Sequence, residues 1–244
     1  MRLKNKVAII TGAAAGIGKS IAEKFAGEGA TVVLADLPHT AGNEVAKGIE
    51  DKGGKALFIP TDITKKDEVT NLVKKTIDNF KTIDILHNNA GVAMPITSLE
   101  EVDDDTYQRI MDVNVKGVFW GIQAVIPYMK EAGEGVILCT GSTSAIRPRS
   151  GLNIYCASKG AVVTLAKSMA LELASFGIRV NTINPVATDT GMIDSEQREK
   201  FIKTIPLGQL AQPIDMANAA LFLASDDAKM ITGIEIEVDG GRCI

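Results

Sequence analysis

Tyr155 and Lys159 stand four residues apart in the run Asn153-Ile154-Tyr155-Cys156-Ala157-Ser158-Lys159-Gly160-Ala161. In a helix that spacing sets a phenol and an ammonium on one face, one turn apart. A phenol with a pKa of ~10 is a poor base at neutral pH. A positive charge about 5 Å away, at an effective dielectric of ~20, stabilises the phenolate by roughly 3 kcal/mol, or about 2 pK units. Such a pair is expected to move a proton near pH ~7–8. An ordinary helix surface pair has the same spacing, so the rest of the chain must decide between them.

A second cluster suits phosphate. Thr11-Gly12-Ala13-Ala14-Ala15-Gly16-Ile17-Gly18 follows a β-branched run and opens a helical one. Glycines there permit a tight turn and close approach of the backbone, and the helix start offers unpaired N–H groups to a pyrophosphate. A strand-to-helix turn without a ligand is the competing account. Asp36 ends the next strand-like run, 18 residues past Gly18. A carboxylate at that distance can accept hydrogen bonds from an adenosine ribose. It would repel a 2′-phosphate by roughly 1–4 kcal/mol. No arginine follows it, and Lys19 is the one nearby cation. NAD is therefore expected over NADP. Asp62, closing the third strand-like run, either serves the adenine amine or caps a turn.

The elements that must position these residues alternate. Strands are expected at Val7–Thr11, Thr31–Asp36, Ala56–Pro60, Ile83–Asn88, Val136–Thr140, Arg179–Asn184 and Gly233–Val238. Helical patterns lie near Gly18–Glu28, Ala41–Asp51, Lys66–Asn79, Asp103–Lys130, Tyr155–Phe176 and Pro213–Ser225. That order implies an α/β fold: a Rossmann-like doubly wound sheet of about seven parallel strands with helices on both faces. The 244 residues, 45% hydrophobic and 23% charged, suit one domain over 1–244. Two long loops, 143–153 and 186–206, are expected to bound the substrate. The second holds a helix-compatible stretch, Asp194–Lys203, that would serve as a lid.

Other classes are disfavoured. Net charge is −4 with no basic tract, and aromatic content is 5%, so nucleic acid is not an expected partner. No apolar run approaches the ~18 residues of a membrane span, and the start of the chain reads as a first strand rather than a signal peptide. Cys139, Cys156 and Cys243 are odd in number and lack metal-ligand spacing. A reducing cytoplasm is the expected location and no metal is expected. His39 and His87 are assigned no catalytic role.

Together these residues resemble the short-chain dehydrogenase/reductase family over essentially the whole chain. Thr11–Gly18 is similar to its cofactor motif, and Asn88-Asn89-Ala90-Gly91 to its Asn-Asn-Ala-Gly motif. Asn114 and Ser142 fall where the family keeps an active-site asparagine and serine; spacing favours Ser142 over Thr143 and Ser144. The resemblance implies a catalytic set of Asn114, Ser142, Tyr155 and Lys159. Tyr155 would be the acid/base, and Ser142 would fix the reacting oxygen. Lys159 would depress the Tyr155 pKa and hold the nicotinamide ribose with Tyr155. Asn114 would anchor a water linking Lys159 to solvent. The implied cofactor contacts are Gly12, Ala15, Gly16, Ile17 and Gly18; Asp36 and Leu37; Asp62 and Ile63; Asn89, Ala90 and Gly91; and Pro185, Thr188 and Thr190. Val186 stands where the family places a glycine, and valine does not take positive φ cheaply.

The resemblance implies an NAD-dependent oxidoreductase acting on a secondary alcohol or ketone, of the hydroxyketone, diol or cyclic alcohol class. A 3-oxoacyl-carrier-protein reductase and an aldose 1-dehydrogenase are the rivals. Reductases of the first kind dock an acidic carrier with arginines; the matching positions here are Gly133 and Leu171. A non-enzymatic dinucleotide sensor would lack Ser142, Tyr155 or Lys159. Met94, Ser144, Leu152 and Met192 are expected near the substrate, with Val92, Pro95 and Ile96 in its apolar wall. Arg147 or Arg149 either grips an anionic substrate group or faces solvent or a second subunit. The family resemblance also implies a homotetramer.

Overall fold

Val-, Ile- and Leu-rich runs that bury both faces must lie inside a sheet covered on two sides. The sheet's strands are β1 (Val7–Thr11), β2 (Thr31–Asp36), β3 (Lys55–Pro60), β4 (Ile85–Asn88), β5 (Gly135–Thr140), β6 (Ile178–Pro185) and β7 (Glu235–Val238), and all but the edge strands β3 and β7 are mostly buried. The computed structural model describes residues 1–190 and 195–244, with no side-chain account of 191–197. All neighbouring strands pair in parallel, in the order β3-β2-β1-β4-β5-β6-β7.

Successive strand residues point to opposite faces. Ile9, Val33, Leu86 and Ile137 pack with Leu72, Val118, Ile122 and Val162. These come from α3 (Lys66–Phe80), α5 (Gly117–Ala132) and α6 (Asn153–Leu173). Their neighbours Ile10, Leu34, Ile85 and Leu138 pack with Ile21, Phe25, Val45 and Leu221. Those belong to α1 (Gly16–Gly27), α2 (Gly42–Glu50) and α8 (Pro213–Ala224). The expected doubly wound α/β sheet is therefore present as one domain.

One helix departs from expectation, and the second long loop carries the helix expected of it. The long helix expected over Asp103–Lys130 is α4 (Asp104–Met111), a π-helical turn over Asp112–Lys116, and α5. The π turn carries Asn114, fully buried, whose amide side chain bonds the backbone of Val92 at both ends. A wider turn of this kind re-aims a side chain without ending the helix. In the stretch 194–203, α7 spans Ser195–Ile202, while Asp194 lies outside the described residues. Arg198 ties α7 to Asp189 at 2.6 Å.

From β1 the chain winds outward to β2 and β3, then returns to β4 and continues to β7. The ends of β1 and β4 part at that reversal and leave a crevice, the usual ligand position in an open parallel sheet. Among the described residues no helix is long and apolar enough to cross a membrane.

Glycine is needed where backbone meets backbone. A Cβ on Gly18 would run into the Gly12 carbonyl oxygen and come within 2.6 Å of Asn89 Nδ2. On Gly48, inside α2, it would meet nothing within 4 Å. Gly18→Ala is expected to destabilise the fold by roughly 1–3 kcal/mol through overpacking. Gly48→Ala should stabilise it by roughly 0.5–1 kcal/mol through reduced unfolded-chain entropy. Urea unfolding of both variants checks the opposite signs.

Candidate active site

The crevice is built from strand ends tied together. Thr11 Oγ1 accepts from the backbone N–H groups of Asn89 and Ala90, each at 3.0 Å. Asn89 Nδ2 donates to the carbonyls of Thr11 and Gly12 at 3.1 and 3.2 Å. Asn89 thus staples the end of β4 to the turn after β1. Gly12 takes φ of +64°, and a Cβ there would lie 2.8 Å from Ala90 Cα. The start of α1 has no side-chain cap at Ala15 and no acid in its first turn, so its N–H groups remain free for an anion. Gly16 leaves a gap that a Cβ would fill against Thr190 Cγ2, at 3.3 Å. This cradle fits the pyrophosphate of a dinucleotide.

Asp36 lies beside the cradle. Its Oδ2 accepts from Ala14 N at 2.9 Å and its Oδ1 from Leu37 N at 2.8 Å. Among the described residues no cation pairs with it, and Lys19 is exposed. Asp62 caps the turn after β3: its Oδ1 accepts from Thr64 N and Oγ1, and Lys65 lies 3.6 Å away. Burial would raise its carboxyl, but these bonds outweigh burial and hold it below the usual carboxylate range. The turn-capping role is thus realised, and Ile63 beside it packs close to Gly117.

After Pro185, Val186 is buried and lacks positive φ. It packs with Ile205 and Leu210, so valine here replaces a flexible turn with a small apolar cluster. Thr188 is buried and donates to the Val186 carbonyl at 2.8 Å. With Thr190 reaching over Gly16, this segment lies across the cradle.

Ser142, Tyr155 and Lys159 converge past the end of β5. Asn184 Oδ1 accepts from Ser142 N at 3.1 Å, and Ser142 Oγ accepts from Ser144 N at 3.1 Å. The Ser142 hydroxyl also interacts with the Tyr155 phenol. Lys159 is buried, with Nζ donating to the Thr140 carbonyl at 2.8 Å and lying 5.9 Å from the Tyr155 ring centre. Asn114 Nδ2 also donates to Ser158 Oγ at 3.1 Å. A Cβ on Gly91 would sit 3.3 Å from both Asn114 Oδ1 and Lys159 Nζ. All four sequence-picked residues are thus together.

The electrostatics depart from expectation. Burial pushes the Tyr155 phenol above its ordinary value, and the interaction with Ser142 opposes this. Lys159 does not overcome the burial. Its own ammonium is drawn down to about 8 by burial, with Cys139 opposing. The stabilisation of phenolate reasoned from spacing assumed a hydrated ammonium. Here the charge is itself desolvated and engaged with a carbonyl. The ligand-free site holds a protonated phenol beside a weakly held lysine proton.

The substrate-side residues divide. Met94 is buried, its sulfur 3.5 Å from Tyr155 N. Ser144 is buried beside Ser142, and Leu152, half-buried, leads into α6. Ile96 is 84% exposed, which removes it from a closed wall. Arg147 is exposed and donates to the Arg242 carbonyl at 2.6 Å. Arg149 is half-buried, 4.6 Å from the Phe201 ring centre. Met192 lies outside the described residues.

Sequence reasoning missed Thr140, Asn184 and Ser158; His87, given no catalytic role, is a packed strand residue. His87 is fully buried, and burial draws it down to about 3, so it is neutral. Thr140 Oγ1 donates to Asn89 Oδ1 at 3.3 Å and must accept from His87 Nε2 at 3.0 Å. That fixes the His87 tautomer and steadies the strand end whose carbonyl holds Lys159. Among the described residues, no group of three or more His, Cys, Asp or Glu could hold a metal ion.

Known proteins resemble the chain in sequence and fold. A family model described as enoyl-(acyl carrier protein) reductase matches residues 12–242. The chain is 38% identical to 4-formylbenzenesulfonate dehydrogenase TsaC1/TsaC2 of Comamonas testosteroni, covering 100% of both. It is 40% identical to 2,5-dichloro-2,5-cyclohexadiene-1,4-diol dehydrogenase LinX of Sphingobium indicum, covering 98% of this chain and 97% of that one. Among solved structures, 3-ketoacyl-(acyl-carrier-protein) reductase from Brucella melitensis, complexed with NADH, superposes with a TM-score of 0.95 at 43% identity. That match covers 99% of this chain and 100% of the other.

The buried Lys159 has a consequence for stability. Its folded pKa of about 8 lies below the ordinary 10.5. The unfolded chain therefore binds more protons between those values, and stability rises with pH across that window. The cost of the buried charge, about 3 kcal/mol, is fully present below pH ~8 and gone above pH ~10.5. Lys159→Met is expected to raise the melting temperature at pH ~7 although it removes a site residue. Thermal unfolding from pH ~7 to ~10.5 should show that gap closing.

Proposed function

The chain belongs to the short-chain dehydrogenase/reductase family, and on that premise we propose that it transfers a hydride between NAD(H) and a secondary alcohol or its ketone. The observation that carries this reading is the convergence of Ser142, Tyr155 and Lys159 past β5, beside a glycine cradle open to a dinucleotide. The nicotinamide cofactor, when bound, supplies the hydride acceptor or donor. The protein supplies the proton and the position. Tyr155 exchanges a proton with the substrate oxygen. Ser142 holds that oxygen, itself fixed by Asn184 and Ser144. Lys159 opposes negative charge on the phenol during transfer, and with Tyr155 would hold the nicotinamide ribose. Asn114, across Gly91 from Lys159, would anchor a water that carries protons to solvent.

Asp36 supports NAD as the cofactor. Its carboxylate rests on the cradle at Ala14 N with no described cation beside it. A 2′-phosphate there meets like charge, a cost of roughly 1–4 kcal/mol. The cofactor's other contacts would be those expected at Leu37, Asp62, Ile63, Asn89, Ala90, Gly91, Pro185, Thr188 and Thr190. α7 would close over the substrate.

The relatives named for a cyclic diol and an aromatic aldehyde support a small alcohol or carbonyl substrate. A second reading, reduction of a 3-oxoacyl group on a carrier protein, is supported by the 43% identity to the solved reductase. Against it, Leu171 is 85% exposed and Gly133 carries no side chain, so neither position offers a cation to an acidic carrier. Exposed Phe119 on α5 and Leu171 on α6 suit subunit contacts in a homotetramer. A cytoplasmic location is proposed with them.

A panel of secondary alcohols, diols, aldoses and a short 3-oxo thioester, run with NAD(H) and NADP(H), tests this reading. Turnover of a diol or cyclic alcohol with NAD is expected; turnover of the thioester alone would favour the carrier-protein reading. Tyr155→Phe should lower kcat by roughly 10²-fold or more while NADH still binds by fluorescence. Asp36→Asn should narrow the preference for NAD over NADP about tenfold, as a loss of roughly 1.4 kcal/mol in discrimination would.

A further inference from the structure

Arg149 lies between the short helical turn Thr143–Ala145 and α6, in the loop that follows Ser142. Its guanidinium carbon sits 4.6 Å from the centre of the Phe201 ring on α7. The two loops that flank the site therefore meet at this side chain.

A second arginine joins it from the end of the chain. Burial, then repulsion from Arg242, makes the Arg149 charge less favourable than that of a free arginine. The Arg242 segment is held in place: Asp239 accepts from the N–H groups of Gly241 and Cys243, and the Arg242 carbonyl accepts from Arg147. Among the described residues no carboxylate, including the chain terminus, pairs with Arg147, Arg149 or Arg242.

The same fold treats a structural arginine differently. Arg179, also half-buried, donates to the carbonyls of Ile231 and Ser225. Arg149 has no described hydrogen-bond acceptor. Stacking on Phe201 uses the face of the guanidinium and leaves its N–H edge available. A half-buried Arg149 guanidinium that is repelled by Arg242 and paired with no described carboxylate is favoured by a bound anion, and an oxyanion matches the guanidinium fork.

We propose that Arg149 and Arg242 form an oxyanion-binding rim of the substrate site, so that the preferred substrate is a secondary alcohol or ketone carrying a carboxylate or sulfonate. This rests on the hydride-transfer reading above. The two arginines together grip the charged end of a substrate whose oxygen sits at Tyr155.

A matched pair tests it: 4-oxocyclohexanecarboxylate and its methyl ester, reduced with NADH by the wild type, Arg149→Gln, Arg149→Lys and Arg242→Gln. The wild type should prefer the acid by roughly tenfold or more in kcat/KM. Both glutamine variants should bring that ratio toward one, and Arg149→Lys should fall between. A wild-type ratio of one or below, or a ratio unchanged in both glutamine variants, overturns the proposal. Turnover of the ester without preference for the acid leaves hydride transfer standing and removes only the rim. If neither ketone turns over, binding decides. Benzenesulfonate should bind the enzyme–NADH complex more tightly than benzenesulfonamide, by NADH fluorescence, and lose that advantage in Arg149→Gln and Arg242→Gln. Equal binding overturns the proposal.

Discussion

A lysine charge kept out of water beside a phenol is the constraint around which the site is arranged. Lys159 is 5% exposed, and its ammonium is held by the Thr140 carbonyl. Burial alone would expel such a charge or strip its proton. The fold tolerates it part-way, with a pKa of about 8, which keeps its proton exchangeable near neutral pH. The same enclosure keeps the Tyr155 phenol protonated in the ligand-free protein. An acid/base pair of this kind is set by shared desolvation as much as by mutual attraction.

Most other features of the site hold that arrangement in place. The parallel sheet brings the ends of β1, β4, β5 and β6 to one edge, and each end contributes a polar staple: Thr11, Asn89, Thr140 and Asn184. His87 and Asn89 fix the Thr140 hydroxyl, while the Thr140 carbonyl takes Lys159. Asn184 fixes the Ser142 backbone, while Ser144 fixes its oxygen. Each staple joins two strands or a strand and a loop, so the reactive groups on α6 and past β5 are anchored to the rigid sheet. The loops over the crevice are tied by side chains as well, Arg198 to Asp189 and Arg149 to Phe201.

Much of this was legible in the residues. Alternation of apolar strands and helices gave the sheet, because a strand buried on both faces has a composition of its own. The glycine turn and Asp36 were legible because tight turns and strand-end carboxylates have few substitutes. The π turn at Asn114 was not, since an apolar helix periodicity continues through it. The Tyr155 pKa was misjudged because spacing reports distance and says nothing of hydration. Thr140 and Asn184 were passed over because their side-chain partners lie 42 to 53 residues away in sequence. Valine at position 186 was expected to disturb a turn; it instead seeds an apolar cluster with Ile205 and Leu210.

The most direct measurement is the titration of the Lys159 side chain itself, followed by NMR on protein labelled with ¹³C at lysine Cε. The resonance is assigned by its loss in Lys159→Met. A midpoint near 8, the value set by burial in this site, is the predicted result. A midpoint at the ordinary lysine value of ~10.5 would mean a hydrated ammonium, and would contradict the account of a desolvated charge governing the phenol.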